Sequence, residues 1–198
     1  MLQTAGEYRA TSLERGRNTM KKFGEYQLSD GRRLVLRTPR WEDLDDLLEL
    51  INSVVEEEAD IIVNRKVTRE EEAEWLARFL TNIEKGRTIG VVAEVDGKVV
   101  GNSEVTRGAG AQSHVGFLGI IIAREYRDLG IGTRMLETLV EESRRAGLRL
   151  LVLDVYASNT RARHVYSKLG FMEAETIPGM ACKKEGYTDI VRMYLKLD

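Results

Sequence analysis

Residues 119–132 combine an apolar strand, a charged bend and two glycines that open a helix. The segment reads GIIIAREYRDLGIG. Backbone amides at such a strand-to-helix junction point outward with no side chain in the way, and the helix dipole adds positive potential. The segment therefore predicts a site that holds the pyrophosphate of a phosphorylated cofactor.

Two nucleotide-binding interpretations of this loop fail on the residues that follow it. A loop of the nucleoside-triphosphatase type ends in Gly-Lys-Ser/Thr, whereas Gly132 is followed by Thr133 and Arg134. A dinucleotide-binding fingerprint needs a third glycine at the position of Met135. Only a different class of phosphorylated cofactor fits the loop.

The string from Arg127 to Gly132 resembles the Arg/Gln-x-x-Gly-x-Gly/Ala signature of the GNAT superfamily of N-acetyltransferases. Downstream, the segment from Asn159 to Phe171 resembles the family's Asn-x-x-Ala-x-x-x-Tyr-x-x-x-Gly-Phe segment, in the family's order and spacing. The resemblance covers about residues 32–197 and is nearest to the ribosomal-protein and the phosphinothricin or amino-acid branches. It implies a mixed α/β fold with a mostly antiparallel sheet of about seven strands flanked by helices. In that fold the fourth strand carries a bulge and splays from the fifth.

The resemblance implies acetyl-coenzyme A as co-substrate. The pantetheine arm would lie in the slot between the splayed strands, held by the backbone of Ile120, Ile121 and Ile122, whose side chains pack in the core. Asn159 either caps its helix or reaches the pantetheine arm, and both roles are compatible. Arginines flanking the loop, Arg124, Arg127 and Arg134, can meet phosphates. The predicted pyrophosphate loop consists of Arg127, Asp128, Leu129, Gly130, Ile131, Gly132 and Thr133.

Tyr166 is the candidate general acid, since the matching tyrosine in relatives protonates the leaving thiolate. Its helical spacing from Ala162 and Leu169 is equally typical of a packed core residue. The chain departs from the family pattern at the general base. Relatives often carry Glu at the position where this chain has Phe117. We take Glu104 as the first candidate base. Alternatives are Glu94 and His114, and a solvent-facing position explains each of the three equally simply.

The acceptor implied by the family is a primary amine that attacks the thioester directly in a ternary complex. At pH 7 deprotonation costs a lysine about 4.6 kcal/mol but an α-amine only about 1 kcal/mol. With no strong base in the usual place, we expect a protein N-terminus or a small amine such as an amino acid, with a protein lysine third. Tyr187 and Asp189 in a late hairpin are candidate acceptor contacts or plain turn residues. The alternative function is a non-catalytic acyl-coenzyme A-binding or regulatory domain.

Length and composition limit the domain number, the partners and the cofactors that we expect. The chain has 198 residues, 42% of them hydrophobic, which predicts one compact domain. The resemblance implies that this is an N-acetyltransferase domain, which we place over residues 26–198 after a flexible extension over residues 1–25. A net charge of -2 predicts neither a nucleic-acid nor a membrane partner. Cys182 is the only cysteine, and with two histidines no metal site is expected. We expect a cytoplasmic protein, and the resemblance allows a homodimer.

The sequence predicts four helices that would position this site. Thr38-Pro39 predicts the start of a helix with an apolar stripe from Trp41 to Val55. Thr68 and Glu71 form a capping box for a second helix. A third helix follows the glycine loop and ends at Gly147, and a fourth spans residues 160–169.

Strands fill the remaining segments. Asp96-Gly97 predicts a hairpin turn between strands over 89–95 and 98–106. The other predicted strands span residues 34–37, 115–123, 149–156, 171–177 and 189–197.

Overall fold

The structure, a computed structural model, describes residues 20–61, 63–184 and 186–197. One eight-stranded sheet runs in the order β1-β2-β3-β4-β5-β6-β8-β7, and all neighbours are antiparallel except β5 and β6. The strands are β1 (Lys22–Gln27), β2 (Arg33–Arg37), β3 (Thr88–Val95), β4 (Lys98–Arg107), β5 (Val115–Ile122), β6 (Leu150–Tyr156), β7 (Met172–Lys183) and β8 (Gly186–Lys196).

Four α-helices cover the two faces of the sheet. They are α1 (Leu44–Glu56), α2 (Arg69–Glu84), α3 (Ile131–Arg145) and α4 (Thr160–Lys168). The larger core cluster joins the stripe of α3 to one face of the sheet, with Met135 and Leu139 fully buried. The smaller cluster joins α1 and α2 to the opposite face around Val92 and Val99. The mixed, mostly antiparallel sheet flanked by helices confirms the predicted fold class.

Several local predictions are confirmed by their backbone geometry. Thr68 and Glu71 form both hydrogen bonds of the capping box at the start of α2. Asp96 and Gly97 have φ angles of 49° and 90°, as a tight hairpin turn requires. Gly147 ends α3 with a φ of 75°. In each case the residues that define the feature are neighbours in sequence.

The start of the sheet corrects the predicted extension. Strand β1 was not predicted, and it pairs with β2 from Lys22 onward, so the folded sheet begins inside the range 1–25. The prediction for residues 1–19 lies outside the described residues. Thr38 does not start a helix, because its backbone and hydroxyl bond to Lys21 and continue the β1 pairing. The first helical turn begins instead at Trp41, and α1 begins at Leu44.

A buried ion network fastens the start of α1 to the sheet. The guanidinium of Arg37, only 1% exposed, donates to both carboxylate oxygens of Asp43 at 2.7 and 2.8 Å. Its Nε donates to Glu94 at 2.7 Å. Two carboxylates therefore neutralise one buried cation, and the network fixes the side of the sheet on which α1 and α2 lie.

Candidate active site

Strands β5 and β6 stand where the fourth and fifth strands of the family fold were expected, and they separate along their length, as predicted. Their parallel pairing covers only three positions, from Val115 opposite Leu150 to Phe117 opposite Val152. Beyond that point β5 continues to Ile122 without pairing to β6. The predicted bulge is absent, because β5 keeps a continuous register with β4 from Gly116 to Ile122. Divergence from β6 alone therefore opens the edge of β5 over residues 118–122.

The glycine loop follows directly from this open edge. Asp128 and Gly130 adopt left-handed φ angles of 66° and 77°, and Gly130 is the N-cap of α3. Because the N-cap is a glycine, no side chain caps the first amides of the helix, at Ile131, Gly132 and Thr133. A Cβ on Gly132 would lie 3.1 Å from Cδ1 of Ile122, so the loop packs closely on β5. The geometry is that of an anion-binding helix start.

Arginines near the loop bond mostly to protein groups. Arg127 donates from Nε to the carbonyl of Ile122 at 3.0 Å and forms an ion pair with Glu57. The guanidinium of Arg134 lies over the ring of Tyr26, 4.1 Å from its centroid. The expectation that these two guanidinium groups meet phosphates stays a prediction. Arg127 ties the loop to the end of α1, and its backbone stays in the predicted loop.

A cavity of about 270 Å³ lies against the face of β5 that is covered by α1 and α2. Its wall joins four elements that are distant in sequence, which are α1, α2, β4 and β5, together with the segment between the two helices. Three residues of the open edge of β5, Gly119, Ile120 and Ile121, contribute to this wall. The lining residues are Leu47, Ile51, Val63, Val67, Glu71, Glu72, Trp75, Asn102, Glu104, Gly119, Ile120 and Ile121.

Glu104 is the one of the three candidate bases that lines this cavity. It lies on β4 directly opposite Gly119, and burial raises the pKa of its carboxyl above the ordinary range. Among the described residues nothing forms an ion pair with it. Glu94 is bound to Arg37, and His114 is exposed at the far end of β5. Phe117 precedes the cavity on the same strand and is 43% exposed.

Glu72 is a second cavity carboxyl that the sequence interpretation missed. It lies in the first turn of α2 and is 6% exposed, and burial raises its pKa from 4.5 to about 7. No described residue forms an ion pair with it. A signal was present, because Glu72 lies four and seven residues before Leu76 and Phe79. It therefore belongs to the apolar stripe of the helix.

Asn102 contributes an unpaired polar atom to the same wall. Its side chain is 8% exposed, and its Oδ1 has no hydrogen-bond partner among the described residues. Asn102 lies on β4 opposite Ile121, on the same face as Glu104. Because buried polar atoms are nearly always paired, this oxygen indicates a place where a bound molecule donates a hydrogen bond.

Helix α4 holds the other two predicted side chains. Tyr166 is buried in the larger core cluster beside Phe171, with ring centroids 5.9 Å apart, and burial raises its pKa to about 12. It does not line the cavity, so its role as general acid stays a prediction. Asn159 caps α4, since its Oδ1 accepts from the amide of Ala162 at 3.0 Å. Its contact with a pantetheine arm also stays a prediction.

The β7–β8 hairpin meets the segment that links α1 to α2. Lys183 forms an ion pair with Asp60, Lys184 forms one with Glu58, and the hydroxyl of Tyr156 donates to the carbonyl of Ile61 at 3.1 Å. The predicted strands 171–177 and 189–197 are longer than expected and extend to this contact. The hairpin therefore fixes the segment that carries Val63 and Val67 over the cavity.

Three further candidates lie away from the cavity lining. Tyr187 is 83% exposed, and Asp189 accepts from the amide of Gly179 at 2.9 Å. Cys182 is exposed as well.

Within the described ranges, no group of three or more potential ligand side chains could hold a metal ion. No helix in those ranges has the length and apolar character needed to cross a membrane.

Comparison with known proteins identifies related chains. The family model described as "Acetyltransferase (GNAT) family" matches residues 42–171. The chain is 25% identical over 166 residues to the L-amino acid N-acyltransferase MnaT of Escherichia coli, a match that covers 82% of this chain and 94% of that protein. For two other curated relatives the match spans only about half of their own length, 45% and 54%.

Solved structures of acetyltransferases also resemble this chain. A ribosomal-protein-alanine N-acetyltransferase from Brucella melitensis is 27% identical, with a TM-score of 0.75, over 82% of this chain and 99% of that one. A phosphinothricin acetyltransferase from Sinorhizobium meliloti, solved in complex with acetyl-CoA, is 23% identical. Its TM-score is 0.75, over 83% of this chain and 88% of that chain, which shows the shared fold.

Proposed function

The chain belongs to the acetyltransferase (GNAT) family, and on this premise we propose that it transfers acetyl from acetyl-coenzyme A to a primary amine by direct attack in a ternary complex. The observation that carries the proposal is the placement of Glu104. Its carboxyl lines a cavity directly opposite Gly119, on the strand whose edge opens toward the glycine loop. This placement supports a base on β4 beside the proposed cofactor site on β5.

The co-substrate would occupy the open edge of β5. The amides at the start of α3, with the loop from Arg127 to Thr133, would hold the pyrophosphate. Backbone groups of Ile120, Ile121 and Ile122 would hold the pantetheine amides and polarise the thioester carbonyl. When bound, acetyl-coenzyme A supplies the activated acetyl group. The open pairing of β5 beyond Phe117 supports this arrangement.

Proton movement follows from the two titratable groups. Glu104 accepts a proton from the ammonium form of the acceptor, directly or through one water. The free amine attacks the thioester carbon, and collapse of the tetrahedral adduct breaks the carbon–sulfur bond. Tyr166 gives its proton to the departing thiolate, the second proton of the attacking nitrogen passes through solvent to the tyrosinate, and Glu104 releases its proton to solvent. The raised pKa of Glu104 brings that base closer to neutral pH, which favours proton transfer.

The acceptor follows from the strength of this base. At pH 7 formation of the free amine costs an α-amine about 1 kcal/mol and a lysine about 4.6 kcal/mol, so a weak carboxylate base serves the α-amine better. We therefore favour a protein N-terminal amine or a small amine such as an amino acid, and place a protein lysine third. Similarity to a ribosomal-protein-alanine N-acetyltransferase and to an L-amino acid N-acyltransferase supports this order.

The test is coenzyme A release, followed by a thiol reagent, with acetyl-coenzyme A and a panel of peptides, amino acids and simple amines. Glu104→Gln should lower kcat/KM by about 100-fold or more and remove the acidic limb of its pH profile. Glu74→Gln is the matched control, because Glu74 is exposed on the solvent side of α2. Acetyl-coenzyme A binding in calorimetry without acceleration by any acceptor would indicate the non-catalytic alternative.

A further inference from the structure

The polar groups that face the cavity carry negative charge or accept hydrogen bonds. Glu72 and Glu104 are carboxyls without an ion-pair partner among the described residues, and Oδ1 of Asn102 is buried and unpaired. An ammonium group has three N–H donors and a positive charge. It can therefore donate to any of these three groups, whereas a ligand carboxylate can donate to none of them.

No cation balances these groups. None of the twelve described residues that line the cavity is Lys, Arg or His. The third carboxyl in the wall, Glu71, is already engaged by Arg65 at 2.6 and 3.0 Å. Lys183 at the nearby rim is paired with Asp60. Above pH 7, where Glu72 is ionised, a ligand carboxylate beside the amine would thus meet two like charges and no described counter-ion.

The rest of the wall is apolar. Leu47, Ile51, Val63 and Val67 face the ring of Trp75 across a volume of about 270 Å³. That space suits a compact hydrocarbon or aromatic group attached to the amine. Trp75 is itself held by Phe79, with ring centroids 4.8 Å apart, so this side of the cavity is rigid.

We propose that the cavity selects an amine on an apolar body with no carboxylate beside it, such as an arylalkylamine or a peptide N-terminus with an apolar first residue. The inference rests on the proposed acetyl transfer and narrows its acceptor. It removes free amino acids from the acceptor class. Glu72 is the residue that sets this preference, because it adds the second negative charge.

The first experiment compares phenethylamine with phenylalanine, which differ by one carboxylate. The amine of phenethylamine is at least as basic, so its deprotonated fraction gives it no advantage. At pH 8, where Glu72 is ionised, we expect kcat/KM for phenethylamine to exceed that for phenylalanine by at least about 30-fold, from like-charge repulsion in a partly buried site. A phenylalanyl peptide amide is a third arm, and it distinguishes a peptide acceptor from a small amine.

A second experiment measures binding without turnover. In Trp41→Phe, Trp75 is the only tryptophan, so its fluorescence reports the cavity when either amine is titrated into protein loaded with coenzyme A. Phenethylamine should change the emission at concentrations where phenylalanine does not. If no acceptor releases coenzyme A while this difference holds, the acetyl transfer proposal fails and the selectivity proposal stands.

The charge argument is tested by Glu72→Gln, with Glu74→Gln as the control on the exposed side of the same helix. Glu72→Gln should reduce the preference for phenethylamine by about 10-fold, in turnover or in binding, and Glu74→Gln should leave it unchanged. The proposal is overturned if phenylalanine equals or exceeds phenethylamine, if neither binds, or if Glu72→Gln keeps the full preference.

Discussion

Glu72 makes a quantitative prediction about stability, because its carboxyl is buried without a described counter-ion. In the unfolded chain the group ionises near 4.5, and in the folded chain its pKa is about 7. Below pH 4.5 the carboxyl is protonated in both states and contributes no pH dependence. Between these values the unfolded state releases its proton while the folded state keeps it, so stability falls as pH rises. Above pH 7 the loss is complete.

The size of the loss follows from the two pKa values. A difference of 2.5 pKa units, from 4.5 to 7, corresponds to a ceiling of about 3.4 kcal/mol. Because the carboxyl borders a cavity that water enters, we expect about 1–2 kcal/mol after solvent screening. Glu72→Gln removes the titrating group, and the variant should be more stable than the parent by that amount at pH 8. The two should be equally stable at pH 4.

Urea unfolding at several pH values measures this difference. With an m-value of about 2 kcal/mol per M, the variant's midpoint should lie roughly 0.5–1 M higher at pH 8. Glu74→Gln, exposed on the same helix, should change the free energy of unfolding by no more than about 0.5 kcal/mol at either pH. A Glu72→Gln variant that is less stable at pH 8, or whose effect does not depend on pH, would refute the reasoning.

Three further outcomes are expected. Tyr166→Phe should lower kcat about 100-fold, and an unchanged kcat would exclude Tyr166 as the general acid. The same substitution should change the free energy of unfolding by less than about 1 kcal/mol, since no described residue forms a hydrogen bond with the Tyr166 hydroxyl. Gly116→Ala should cost about 1–3 kcal/mol, because its Cβ would lie 2.5 Å from a core methyl group, whereas Gly119→Ala opens into free space. Gly119→Ala should change the free energy of unfolding by no more than about 0.5 kcal/mol and should raise KM for the amine. Equal unfolding midpoints for the two variants would contradict the close packing around Gly116. Arg37→Met should cost about 3–5 kcal/mol in urea unfolding, because Glu94 loses its ion-pair partner and Asp43 keeps only its contacts with Arg40, and a loss below about 1 kcal/mol would contradict the buried network.

Features with local causes could be predicted from the sequence. The capping box at Thr68, the turn at Asp96-Gly97 and the end of α3 at Gly147 each depend on residues that are adjacent or three apart. The glycine loop belongs to the same class, since its backbone angles are set by Asp128 and Gly130 themselves.

Features formed by distant segments could not be predicted in this way. Strand β1 has weak apolar periodicity and exists through pairing with β2. The length of β7 was hidden by Pro178 and Gly179, which are ordinary strand breakers but here sit in an irregular stretch between paired segments. The cavity forms where residues of α2 and β4 share one wall, so its two carboxyls without a described ion-pair partner, Glu72 and Glu104, are 32 positions apart in the chain.

The position of Phe117 becomes intelligible once register is considered. Side chains alternate along a strand, so Phe117, Gly119 and Ile121 lie on one face of β5. In an antiparallel pair the residue opposite Gly119 projects to that same face, and this residue is Glu104. Because Gly119 has no side chain, the carboxyl from β4 meets no steric obstacle above it. The register therefore supports the proposal that Glu104, on the adjacent strand and opposite a position two residues further along β5, takes the role of the carboxylate that relatives often carry at the position of Phe117.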